Sequence, residues 1–168
     1  MIEPEDLEIG ALAGVAATGP MTMTMTAMHR LLPAAEQHSL APRHIAETLA
    51  DRTVGRLSER KRFALTLASH FAYGGSAGAP YALLNRYIPL PPAVSGSVYG
   101  LLVWAASYLG FLPALGIFPS AMQETRRRNV LMVVAHLVWG ASLGVIVDEL
   151  QRSRRESLAG GSANGKHR

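Results

Sequence analysis

Four stretches of the chain carry no formally charged side chain: residues 9–29, 63–85, 87–123 and 129–147. Each can hold the ~20 apolar residues that span a ~30 Å hydrocarbon core at ~1.5 Å rise per residue. A core helix of that length in a water-soluble protein shows a polar stripe at helical period, and none of the four does. The pattern predicts an all-α fold, an integral membrane four-helix bundle with spans at about 9–31, 63–85, 94–116 and 129–148. The run MTMTMT at 21–26 alternates like a strand, but a lone strand cannot satisfy its backbone in lipid. On a helix the same residues make one stripe of Thr18, Thr22 and Thr26 and another of Met21, Met25 and Met28. Gly19-Pro20 at its centre predicts a kink. The stripes read as packing material, with a Met/Thr-lined pathway as the alternative.

The connections differ in kind. Between Leu32 and Arg62 the chain is too long to stay structureless, and APRHIAETLADR (41–52) fits an amphipathic helix with Ile45, Ala46 and Leu49 on one face. Such a helix lies in the membrane interface or caps the bundle. RYIPLPP (86–92) is a proline-enforced turn, and PSAMQETRRR (119–128) is short and basic. Residues 1–150 read as one transmembrane domain, and 151–168 as a polar Gly/Ser tail without structure.

Every span carries a G-x-x-x-G pair: Gly10 and Gly14, Gly74 and Gly78, Gly96 and Gly100, Gly140 and Gly144. One pair is weak evidence, because glycine is frequent in membrane helices. One in each span points to close helix packing, which drives association where lipid tails are as apolar as the side chains. Offsets of 86 residues from span one to three and 66 from span two to four suggest a two-helix unit used twice, with a longer loop in the first copy and the copies parallel about an axis along the membrane normal. A glycine face left exposed would also suit a homo-oligomer.

Charge and composition narrow the partners. The chain has 16 Lys and Arg against 12 Asp and Glu, and no cysteine. Disulfides, thiolate catalysis and cysteine-ligated metal centres are therefore excluded. The basic residues cluster beside the spans, at 60–62, 126–128 and 152–155, which suits anionic lipid head groups rather than nucleic acid. The acidic leader MIEPEDLE argues against a cleaved signal peptide. Ten of the sixteen Lys and Arg lie in 30–62 and 126–128, which places those loops in the cytoplasm and both termini outside.

SHFAYGGSAGAPYALLNRYIPLPPAVSGSVYG (69–100) and YLGFLPALGIFPSAMQETRRRNVLMVVAHLVWGASLGVIVDEL (108–150) resemble the YagU-like inner-membrane proteins. The resemblance rests on an aromatic after the first His, a proline-bearing turn, a glycine-rich third span ending in proline, and HLVW in the last span. It covers about residues 60–150. It implies a small multi-pass protein of the bacterial inner membrane and brings no catalytic residues with it.

The candidate chemistry lies in two related stretches, HFAYGGSAG (70–78) and HLVWGASLG (136–144). His70 and His136 each follow a basic flank by eight residues on helices crossing in the same direction. Both imidazoles should then sit at one depth, roughly 12 Å in. On each helix the His shares a face with an aromatic, Tyr73 or Trp139, and with the glycines. The leading reading is structural, each imidazole bonding a hydroxyl or carbonyl while Tyr73, Trp139 and span-one threonines such as Thr22 fill the gap. Proton or ion handling by the two histidines is the alternative, and bis-histidine haem ligation the least favoured. His44, Glu47 and Asp51 can share a face of the loop helix, a spacing too common to indicate a metal site. Ser69-His70 lacks an orienting acid, and no span holds a carboxylate pair, so an enzyme is not expected. The expected role is a non-enzymatic accessory, packing or stress-related membrane factor.

Overall fold

The computed structural model describes residues 4–53 and 58–164, without the side chains of residues 52, 53 and 160–164. It has five helices, and no strand among the described residues: α1 (Pro4–Arg30), α2 (Ala41–Thr53), α3 (Glu59–Asn85), α4 (Pro92–Ala114) and α5 (Arg126–Asn164). The termini of α1 suit its dipole, with Glu5 and Asp6 in the first turn and His29 and Arg30 in the last. α1 runs on through Pro20. Its threonines satisfy themselves on the preceding turn, Thr18 donating to the Gly14 carbonyl (2.8 Å) and Thr22 to that of Thr18 (2.7 Å). Pro92 opens α4, where its missing N–H costs nothing. Gly116, at φ 61°, turns the chain out of α4 in a conformation that other residues rarely adopt.

Two helices, α4 and the Arg126–Ala159 part of α5, are long and apolar enough to cross a membrane. α1 and α3 are equally free of charge over their middles, but glycine, threonine, serine and proline lower their hydropathy. Many of those small residues lie where the two helices meet. A Cβ on Gly14 would fall on the Gly74 carbonyl, and one on Gly78 on that of Gly10. The same device joins α4 to α5, where a Cβ on Gly96 or Gly140 would strike the other's carbonyl oxygen. The eight glycines thus pair within each hairpin, as a two-helix unit used twice requires. All eight are buried in contacts inside the chain.

The helices do not close into a symmetric bundle. They lie in the order α3–α1–α5–α4, and the outer two, α3 and α4, barely touch. Aromatic side chains keep them apart and bridge the gap. Tyr81 Oη meets Ser95 Oγ at 2.7 Å, Tyr99 donates to the Ala77 carbonyl at 2.6 Å, and Tyr73 Oη meets Ser107 Oγ at 2.6 Å. On the other side Trp139 donates from α5 to the Gly14 carbonyl of α1 (3.2 Å).

Both ends of the array are tied by charge. At the end holding the start of α1, buried Asp6 pairs with Arg86, just past the end of α3, and accepts from Gln151 of α5 (3.3 Å). Arg154 adds an ion pair to Glu5. These bonds correct the expectation of an unstructured tail: α5 continues to Asn164, because Gln151 and Arg154 are anchored on α1 and Arg152 pairs with Asp148 one turn back (2.7 Å). The expected tail beyond 164 lies outside the described residues.

At the opposite end, Arg128 is 6% exposed and does not face solvent or head groups as its basic cluster suggested. It binds Glu124 (2.8 Å) and the carbonyls of Glu36 (2.9 Å) and Ser39 (3.1 Å), stapling the first long connection to the start of α5. That connection delivers α2, which caps the array.

Candidate functional site

Where α3 and α4 diverge, beyond the Tyr73–Ser107 bridge, a chamber of about 390 Å³ opens inside the helices. This lies at the low end of the ~300–1,000 Å³ typical of small-molecule sites. Its walls come from every helix: Thr18 and Met21 from α1, His70 and Tyr73 from α3, Tyr108 and Phe111 from α4, His136 and Trp139 from α5. Pro42, Ile45 and Leu49 of α2 form the roof. Outside the roof Arg43 pairs with Glu47 (2.9 Å) and Glu59 (3.0 Å), and Arg62 reaches Glu47 and Asp51. The hydrogen bond and charge of Glu47, with Glu59 adding to them, hold the Arg43 guanidinium above its ordinary pKa. Glu47 and Asp51 are thereby committed to arginines. His44 packs edge-on against Phe118, so the three residues do not converge on a metal.

α4 contributes to the chamber through a π-helical segment, Ala106–Phe111. Pro113 explains it: the proline has no N–H for the ladder, and its ring pushes away the carbonyl four residues earlier, which widens the preceding turn. The wider turn brings Ser107 and Tyr108, both buried, onto the chamber side while Phe111 stands at its rim.

The two histidines expected at matched depth do line one chamber, with Tyr73 and Trp139 beside them. Their hydrogen bonding is unequal. Nδ1 of His136 donates to the Met132 carbonyl (2.8 Å), and a carbonyl only accepts, so Nε2 of neutral His136 is left as an acceptor. Tyr108 packs edge-on against that ring at 5.7 Å. Nε2 of His70 is buried and has no partner at all. An unsatisfied buried polar group costs about 1–3 kcal/mol, which sets His70 apart from a register-fixing residue.

Tyr73 and Trp139 stand on the chamber wall beside the imidazoles. The α1 threonine on that wall is Thr18, one turn before Thr22, which does not line it. Ser107 and Tyr108 carry no signal in the one-dimensional pattern. The one clue to them was Pro113, a proline inside an apolar span.

No curated protein and no solved structure matches the sequence. A family of unknown function (DUF6789) matches residues 4–157, a range that takes in α1 to α4, α5 as far as Ser157, both histidines and all four glycine pairs. The chain belongs to that family.

Proposed function

We propose that this chain is a multi-pass protein of the bacterial inner membrane, acting as a non-enzymatic accessory factor that holds a small lipid-soluble molecule in the chamber beneath α2. The observation that carries the binding role is the chamber itself, an aromatic-walled space with a buried imidazole nitrogen that no protein group satisfies. Its walls include no carboxylate, lysine or arginine among the described residues, so neither imidazole has a carboxylate to orient it there.

The membrane placement has α1, α3, α4 and α5 all crossing. It is supported by the large apolar side chains on their outer faces, such as Leu12 (67% exposed), Leu67, Leu102 (62%) and Val145, a surface that soluble proteins avoid. Charged pairs lie at the two ends, outside this belt. The distribution of Lys and Arg orients the α2 end toward the cytoplasm and both termini outward.

The absence of cysteine makes the test direct. Cysteines placed singly at Leu67, Leu102 and Val145 are expected to stay unlabelled by a membrane-impermeant maleimide in intact and in disrupted cells. Ser153→Cys should label in intact cells, and Lys61→Cys only after disruption. Rapid labelling at Leu67 would refute the crossing of α3, and the reverse pattern at 61 and 153 would invert the orientation.

A proton or ion conduit through His70 and His136 is the second reading, favoured by their sharing one chamber. It needs a path to the far end past Tyr81, Trp139, Leu143 and Val147, each at most 2% exposed. We expect no pH-dependent flux in liposomes. A flux abolished by the double change His70→Gln and His136→Gln would install the conduit instead. Haem ligation by His70 and His136 is the least favoured reading. A Soret band in the purified protein, lost in His136→Ala, would overturn that judgement.

A further inference from the structure

Resting on the binding role just proposed, we infer that the chamber takes a lipid-soluble molecule with a hydroxylated aromatic ring, a phenol or quinol head, which enters sideways between α3 and α4.

The chemistry of the walls selects the head. His136 leaves an acceptor at Nε2, because its Nδ1 is committed to the Met132 carbonyl. His70 leaves Nε2 with no partner in a buried position. A hydroxyl is the smallest group that donates and accepts at once, so one hydroxylated ring can serve both imidazoles. A carboxylate or phosphate head is disfavoured, since no cation lines the chamber among the described residues. Among the apolar side chains of the remaining walls stand four flat rings, Tyr73, Tyr108, Phe111 and Trp139, which suit an aromatic guest in stacked or edge-on contact.

The route follows from where the helices part. The roof over the chamber is apolar, made by Pro42, Ile45 and Leu49, and offers a charged ligand no path from water. Toward the far end the α3–α4 gap is barred by the Tyr81–Ser95 and Tyr99–Ala77 bonds. At chamber level the bar is a single bond, Tyr73–Ser107, and two wall residues there, Tyr73 (49%) and Phe111 (57%), are exposed on the outer face. The chamber therefore opens toward the lipid, and an alkyl tail on the ring can remain in the bilayer.

Trp139 reports on the chamber, and Trp104, the one other tryptophan, does not line it. The experiment uses the full chain carrying Trp104→Phe in phosphatidylcholine nanodiscs. Two brominated quenchers are titrated, an octyl-dibromophenol and the octyl-dibromobenzene that lacks only the hydroxyl. Saturable quenching of Trp139 is expected, with the phenol binding about tenfold more tightly, the worth of one to two hydrogen bonds. The double change His70→Phe and His136→Phe should lower phenol affinity to that of the benzene and leave the benzene unchanged, which also shows that the chamber is intact. The double change His70→Gln and His136→Gln, which restores hydrogen-bonding groups, should keep the preference. Equal binding of the two probes, a preference that survives the double change to Phe, or its loss in both double variants alike would overturn the hydroxylated ligand while leaving the chamber's binding role standing. The absence of saturable quenching by either probe would defeat the binding role itself.

Discussion

Replacing Gly140 by valine is expected to disassemble the array, and Gly14→Val to do the same on the other hairpin. A Cβ at Gly140 would overlap the carbonyl of Gly96, and one at Gly14 that of Gly74. The obstruction is backbone, so no side chain can turn aside and the helices must separate. Overpacking in a well-packed core costs about 1–3 kcal/mol where side chains can adjust, and here the loss should be at least about 3 kcal/mol. Helix separation would also break the bonds that depend on it, Trp139 to the Gly14 carbonyl among them. Thermal unfolding in detergent, followed by circular dichroism and by the size-exclusion profile, is the measurement. Gly19 supplies the control, because a Cβ there meets nothing within 4 Å. Gly19→Ala should be neutral or stabilising by up to about 1 kcal/mol, as for glycine in an open helical position. If Gly140→Val melts with the parent, the close approach of α4 and α5 is wrong.

Arg128→Met should have the next largest effect. The substitution keeps an unbranched apolar stem and removes a guanidinium that serves Glu124 and carbonyls of the first connection. Glu124 is itself largely buried, with 14% of its side chain exposed. Breaking a buried pair from one side costs about 3–5 kcal/mol, mainly through the charge left without a partner. For a chain of this size that corresponds to a fall in Tm on the order of 10 °C. Arg128→Lys should rescue only part of the loss, since one ammonium cannot reproduce the planar fork that spans several acceptors. Arg127→Met, beside it but 66% exposed, should stay within about 0.5 kcal/mol of the parent. Proteolysis should also reach residues 32–40 faster in Arg128→Met, as their carbonyl anchor is gone. Equal melting of the Arg127 and Arg128 variants would rule out the staple.

The site was only partly legible in one dimension. His70 and His136 stand out because an imidazole in a charge-free span needs a reason, and the two line one chamber. The chamber itself is not in the linear pattern. Tyr73 and Trp139, which line it, spend their polar atoms elsewhere, Tyr73 on Ser107 and Trp139 on the Gly14 carbonyl. No spacing rule encodes that outcome, because it depends on how far apart α3 and α4 stand.

What the sequence determined by itself is local or periodic. The positions of the four long helices follow from the charge-free windows, the amphipathic α2 from the Ile45 and Leu49 face, and the partnering within hairpins from the glycine pairs. These features depend on neighbours within a few turns or on a side chain's absence, both visible in a linear pattern. Tertiary structure decided the rest. It set the order α3–α1–α5–α4 and left α3 and α4 apart. It turned the basic Arg128 inward and carried α5 past Leu150 on the strength of Asp6, a residue near the other end of the chain. The reason is physical: an unpaired buried charge is so costly that the position of one partner fixes the structure around the other. Those partners lie some 90 to 145 residues apart in the sequence.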